Sequence, residues 1–107
     1  NKHCIPCEAG VKPMGAEDIE KMMIEVPGWT VNKAGNKLSR RFAFKGFNKV
    51  MAFMNAIAWI AHQEKHHPDV HLGYNYCEVE FSTHAIQGLS ENDFICAAKV
   101  SQLLQLD

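Results

Sequence analysis

The apolar positions change period four times along the chain. Ile19, Met22, Met23 and Val26 recur at helical spacing within Ala16 to Val26, with Glu17 and Asp18 near the positive end of the helix dipole. Pro27-Gly28 stops that pattern. Trp29 to Val31 reads as a short strand and Ala34-Gly35-Asn36 as a turn. From Lys37 to Phe44 the residues alternate, with Leu38, Arg40, Phe42 and Phe44 on one face, which completes a hairpin. Phe47 to Lys65 is the longest helical stretch. Its core stripe is read as Phe47, Val50, Met51, Met54, Ile57, Ala58 and Ala61, flanked by Phe53, Ala56, Trp59 and Ile60. A helix apolar around so much of its girth is expected to be covered on more than one side, by a sheet and by part of another subunit.

Pro68 disfavours helical backbone at His67 and ends the helix. Val70, Leu72 and Tyr74 then alternate, as do Cys77, Val79, Phe81 and Thr83, and a short join at Gly73 to Tyr76 makes a second hairpin. After Gln87-Gly88, Ser90 opens a last helix with Asp93 three residues on, the spacing of a capping box, and an apolar series through Phe94, Ala97, Ala98, Val100, Leu103 and Leu104. The order α-β-β-α-β-β-α predicts an α+β domain of two layers, a four-stranded antiparallel sheet with three helices on one face. Residues 1–14 are expected to be an irregular N-terminal segment and 15–107 one domain.

Composition narrows the class. The 107 residues suit a single domain, 47% hydrophobic and 21% charged. A net charge of -1 lacks the basic excess of a nucleic-acid or anionic-membrane binder. No apolar run reaches the roughly 18 residues of a membrane span, and no signal-peptide pattern is visible at the start. Of the four cysteines, Cys77 and Cys96 read as small buried hydrophobes. Cys4 and Cys7, beside His3, form a single CxxC, where a structural zinc site normally takes two such pairs. Reduced surface thiols are the favoured reading, with a labile metal site that includes His3 as its rival.

The chemistry gathers around histidine. Five of the six, His62, His66, His67, His71 and His84, lie in one short stretch. Imidazole exchanges protons near neutral pH. His66 and His67 fall at the end of the long helix, where the partial negative charge favours imidazolium and suits a proton donor. His84 is placed at a strand end, from which it can approach the same point. Solvated or capping roles compete at each position: His62 and His71 read as exposed, and Asp93 as a capping acid as much as a catalytic one. Zinc held by His62, His66 and either His84 or Asp93 is a weaker rival, since no HExxH is present.

The run His62-Gln63-Glu64-Lys65-His66-His67-Pro68, followed by Tyr74, Ser82-Thr83-His84, Gly88-Leu89-Ser90 and Asp93, resembles the pterin-4a-carbinolamine dehydratase family. The family pattern is an acidic or basic residue, three residues, His-His-Pro, an aromatic, a histidine and an aspartate, and these spacings all fit it. The likeness extends to Gly28-Trp29, Phe44 to Asn48 and Asp93-Phe94-Ile95. It implies that His66, His67 and His84 are catalytic with Asp93 in support, that no metal or cofactor takes part, that the setting is cytoplasmic, and that the protein forms homodimers or homotetramers. It implies a 4a-hydroxytetrahydropterin as substrate, supplied by an aromatic amino-acid hydroxylase. Animal relatives also act as dimerisation cofactors for a homeodomain transcription factor, which leaves a protein-binding module as the alternative. Dehydration needs an acid for the departing hydroxyl and a base for a ring N–H. His66 and His84 are expected to share these roles, in an order left open, with His67 orienting the hydroxyl. Trp29, Ser82 and Thr83 are candidates for holding the flat heterocycle, although Trp29, like Phe47, is a core residue by default.

Overall fold

A computed structural model describes residues 2–5 and 12–104. The elements are α1 (Ala16–Met23), β1 (Thr30–Val31), β2 (Leu38–Ala43), α2 (Phe47–Glu64), β3 (Asp69–Leu72), β4 (Tyr76–Phe81) and α3 (Glu91–Gln102). The strands form one antiparallel sheet in the order β1-β2-β4-β3. This is the expected α+β arrangement.

The two hairpins meet along β2 and β4, where Leu38 pairs with Phe81, Arg40 with Val79 and Phe42 with Cys77. The period of two sends Leu38, Phe42, Cys77, Val79 and Phe81 to the buried face, while Arg41, Glu78 and Glu80 lie on the opposite face. Val50, Phe53, Ile57 and Ile60 of α2 and Phe94, Ala97 and Val100 of α3 join that core. Each large side chain buried there contributes about 1.5–3 kcal/mol of transfer free energy.

The core face of α2 differs from the stripe read off the sequence. Phe53 and Ile60, assigned to the flanks, are buried; Phe47 is 47% exposed and Ala58 is exposed. Stepping by three or four from Val50 gives Phe53, Ile57, Ile60 and then Glu64, all buried. Several faces of α2 are apolar, so local spacing offers more than one stripe, and contact with the sheet selects among them. Trp59 is left 60% exposed. In α3, Leu104 falls beyond the helix and is 45% exposed. The first helix stops at Met23, earlier than expected, and single tight turns carry the chain on to Val26.

Two chain reversals position the chemistry. Helix α2 ends at Glu64, and Lys65 takes a left-handed conformation (φ 54°). The amides of Lys65 and His66 both bond the carbonyl of Ala61, a Schellman-type termination. His66 and His67 thus lie just past the helix rather than in its last turn. The second reversal follows β4. The strand stops at Phe81, and His84 begins a single 3₁₀ turn, His84–Ile86, instead of closing a strand. Thr83 and Gly88 bridge its base, with both backbone amides bonded to the opposite carbonyl.

Candidate active site

The loop after α2, the 3₁₀ turn after β4 and the start of α3 converge on a cleft of about 660 Å³. His66, His67, Ser82, Thr83 and His84 all line it. Residues 3–5 supply a further wall.

Asp93 organises this end of the molecule. It is fully buried, one turn into α3. Its Oδ1 lies 2.6 Å from His66 Nε2, and its Oδ2 accepts the Thr83 hydroxyl at 2.8 Å and the Ser90 amide at 3.0 Å. The Ser90 bond belongs to the capping box that the Ser-x-x-Asp spacing predicts. Asp93 is therefore at once a helix cap and the partner of a histidine. A carboxylate on Nε2 leaves Nδ1 as the edge of His66 available to a ligand. The ring lies nearly parallel to Phe81, at 11° and 6.0 Å, which limits its rotation. His67 and His84 face each other with ring centroids 6.1 Å apart. Imidazoles from two distant parts of the chain thus share one cavity.

Other expected site residues stand differently. Trp29 is not on the cleft: it is 3% exposed, packs on Phe42 and Phe81, and donates its indole N–H to Ser101 at 2.8 Å. Its apolar surface is more favourably placed in the core than on an open cleft, which corrects its assignment to ligand binding. Thr83 lines the cleft, but its hydroxyl proton is committed to Asp93, so this side chain fixes the carboxylate. Ser82 is a cleft residue without that commitment. His62 is exposed and stacks on Trp59, and His71 is exposed on β3. Neither is a cleft residue. Among the described residues no group of three or more His, Cys, Asp and Glu is arranged to hold a metal ion. Cys7, half of the CxxC, lies outside the described residues.

Glu64 was not expected among the buried residues of this site. Its side chain is 3% exposed, and it receives the N-terminal segment: the Cys4 amide at 2.7 Å on Oε1 and His3 Nδ1 at 2.8 Å on Oε2, with Lys99 Nζ 3.6 Å away. The signal was its place on the Val50–Phe53–Ile57–Ile60 stripe, where an acid must find partners. Asn92 continues the docking, accepting the Ile5 amide at 2.9 Å and donating to the Ile5 carbonyl at 2.6 Å. Cys4 Sγ rests 3.5 Å from Cys96 Sγ, and burial raises both thiols, that of Cys4 to about 11.

The Cys4 amide, then His3 and Lys99, hold Glu64 down to about 2 from 4.5, against the opposing effect of burial. The folded state therefore binds this proton less readily than the unfolded chain. The resulting stabilisation is complete above about 4.5, falls as pH drops toward 2, and is gone below it. Glu64→Gln removes the titration. Between those limits the urea midpoint of wild type should fall more steeply with pH than that of the variant. Parallel curves would remove this role.

Comparisons with known proteins agree with this architecture. The family model for pterin 4 alpha carbinolamine dehydratase matches residues 12–103. The chain belongs to the pterin carbinolamine dehydratase family. A relative from Nitrosospira multiformis that carries the provisional name pterin-4-alpha-carbinolamine dehydratase is 51% identical over 98% of this chain and 91% of its own length. One of the same provisional name from Nitrosomonas eutropha is 54% identical over 97% and 91%. Among solved structures, a transcriptional coactivator/pterin dehydratase from Brucella melitensis superposes with a TM-score of 0.81 at 26% identity, covering 86% of this chain and 98% of that one. A pterin dehydratase-like RuBisCO assembly factor of the alpha-carboxysome shares the fold, with a TM-score of 0.62 at 24% identity over 74% of this chain and 92% of its own. In this dehydratase family member, the family match stops short of the wall formed by residues 3–5.

Proposed function

We propose that the protein dehydrates a 4a-hydroxytetrahydropterin to the quinonoid dihydropterin by histidine acid/base catalysis. The observation that carries this reading is the convergence of His66, His67 and His84 on one cleft, with His66 held by a buried carboxylate. In the reaction the bond from C4a to oxygen breaks. An acid gives the departing hydroxyl its proton, so that water leaves, and a base takes the proton from a ring N–H. His66 and His84 share these two transfers. His67, beside His84, orients the hydroxyl. Ser82 and the open side of the cleft hold the heterocycle. Each positioned transfer is worth about 10²–10⁴-fold, enough for a substrate that also loses water unaided.

The same reading takes the hydroxylase that makes the carbinolamine as the functional partner, needs no metal or cofactor, and places the reaction in the cytoplasm. No helix among the described residues is long and apolar enough to cross a membrane. A homodimer or homotetramer belongs to the proposal. The exposed Trp59 and Phe47 on α2 support it, and a sedimentation mass checks it. The dehydration itself is tested by stopped-flow absorbance on carbinolamine generated in place by a hydroxylase. Acceleration over the buffer rate is expected, and a rate equal to buffer alone would end the assignment.

A further inference from the structure

We infer that His3 is a ligand-contacting residue of the cleft and that Glu64 is its positioning residue. This rests on the dehydratase reading and extends it to a residue outside the stretch that the family model matches.

The His3–Glu64 pair repeats the construction of His66–Asp93. In both, a buried carboxylate gives one oxygen to a ring nitrogen, at 2.8 and 2.6 Å, and accepts a backbone amide on the other, from Cys4 and Ser90 respectively. Both imidazoles line the same cleft. The segment carrying His3 is anchored at three successive residues: His3 and Cys4 bond Glu64, and Ile5 bonds the Asn92 amide through both of its backbone groups. With Nδ1–H donated to Glu64, the neutral ring presents Nε2 as an acceptor. No described residue takes that nitrogen, and the side chain is 78% exposed. A ring so held is ready to accept an N–H or O–H of the bound heterocycle. The ordering cost of residues 3–5 is already met by the Glu64 and Asn92 contacts, so the ligand gains the hydrogen bond without it. His66 and His84 carry the proton transfers and His67 orients the hydroxyl, so the role of His3 is binding.

The experiment measures KM and kcat for the carbinolamine, and the Kd of 7,8-dihydrobiopterin, on the full chain. His3→Ala should raise KM and Kd about 3–10-fold, the value of one hydrogen bond, with the loss falling on KM rather than kcat. Two conservative variants separate contact from anchoring. His3→Asn keeps a donor where Nδ1 lies but loses the Nε2 edge, and should behave as alanine. His3→Gln places an amide near the Nε2 position and should recover most of the affinity. Glu64→Gln should raise KM in wild type and add little in the His3→Ala background. Wild-type affinity in His3→Asn, or an unchanged KM in His3→Ala, would overturn the contact. These failures are distinct from that of the dehydratase reading, which falls, and this inference with it, if wild type itself neither accelerates dehydration nor binds the pterin.

Discussion

Alanine at both His66 and His84 should bring dehydration down to nearly the buffer rate while the far-UV circular dichroism stays that of wild type. Each residue carries one of two coupled transfers in the proposed reaction, and each transfer is worth about 10²–10⁴-fold. The two losses should not simply add, because a relay that lacks either end is already interrupted. His84 is exposed, so its removal opens no cavity. His66 is 13% exposed at its side chain and leans on Phe81, so its truncation carries some cost in stability that a thermal melt will show. Undiminished turnover in the folded double variant would place the chemistry elsewhere.

In the proposed reaction Asp93 serves both stability and chemistry, and its two simplest replacements should separate them. Asp93→Ala removes the acceptor for the Thr83 hydroxyl, the Ser90 amide and His66 Nε2 at a fully buried position. A lost cap costs about 1 kcal/mol, and each stranded buried partner about 1–3 more. A loss of roughly 3–7 kcal/mol in urea unfolding is expected, large for a domain of this size. Asp93→Asn should fold far better. Both protein donors other than His66 point at Oδ2, so the amide oxygen settles there and the NH₂ turns toward His66. That forces Nε2 of the ring to accept and moves its proton to Nδ1. The tautomer is then inverted, and a fall of roughly 10²–10⁴-fold in kcat is expected with most of the stability kept, as for a carboxylate that orients a catalytic imidazole. Full activity in a folded Asp93→Asn would mean that Asp93 serves α3 alone.

Much of this architecture was legible in the chain. Alternation at Leu38–Phe44 and at Cys77–Thr83, the breaks at Pro27-Gly28 and Pro68, and the Ser90–Asp93 spacing all report local geometry, and local geometry repeats with a known period. The histidine spacing was legible for a similar reason, since chain reversals bracket it. The core face of α2 was not. With apolar residues on several sides, only the approach of β4 and α3 selects Phe53 and Ile60 over Phe47 and Ala58. Trp29 went the same way. The need for a flat apolar wall made it a candidate for the heterocycle, while Ser101, 72 residues away, holds its indole in the core.

By itself, then, the amino-acid order determined the elements, their sequence along the chain, the α+β class and the set of histidines able to exchange protons. Tertiary structure decided which surfaces are buried, turned His84 onto a 3₁₀ turn, assigned Asp93 to His66, and brought His3 to Glu64 across 61 residues. The first group depends on hydrogen bonds and periods within a few residues. The second depends on which distant surfaces exclude water together, and no window on the sequence contains both partners of such a contact.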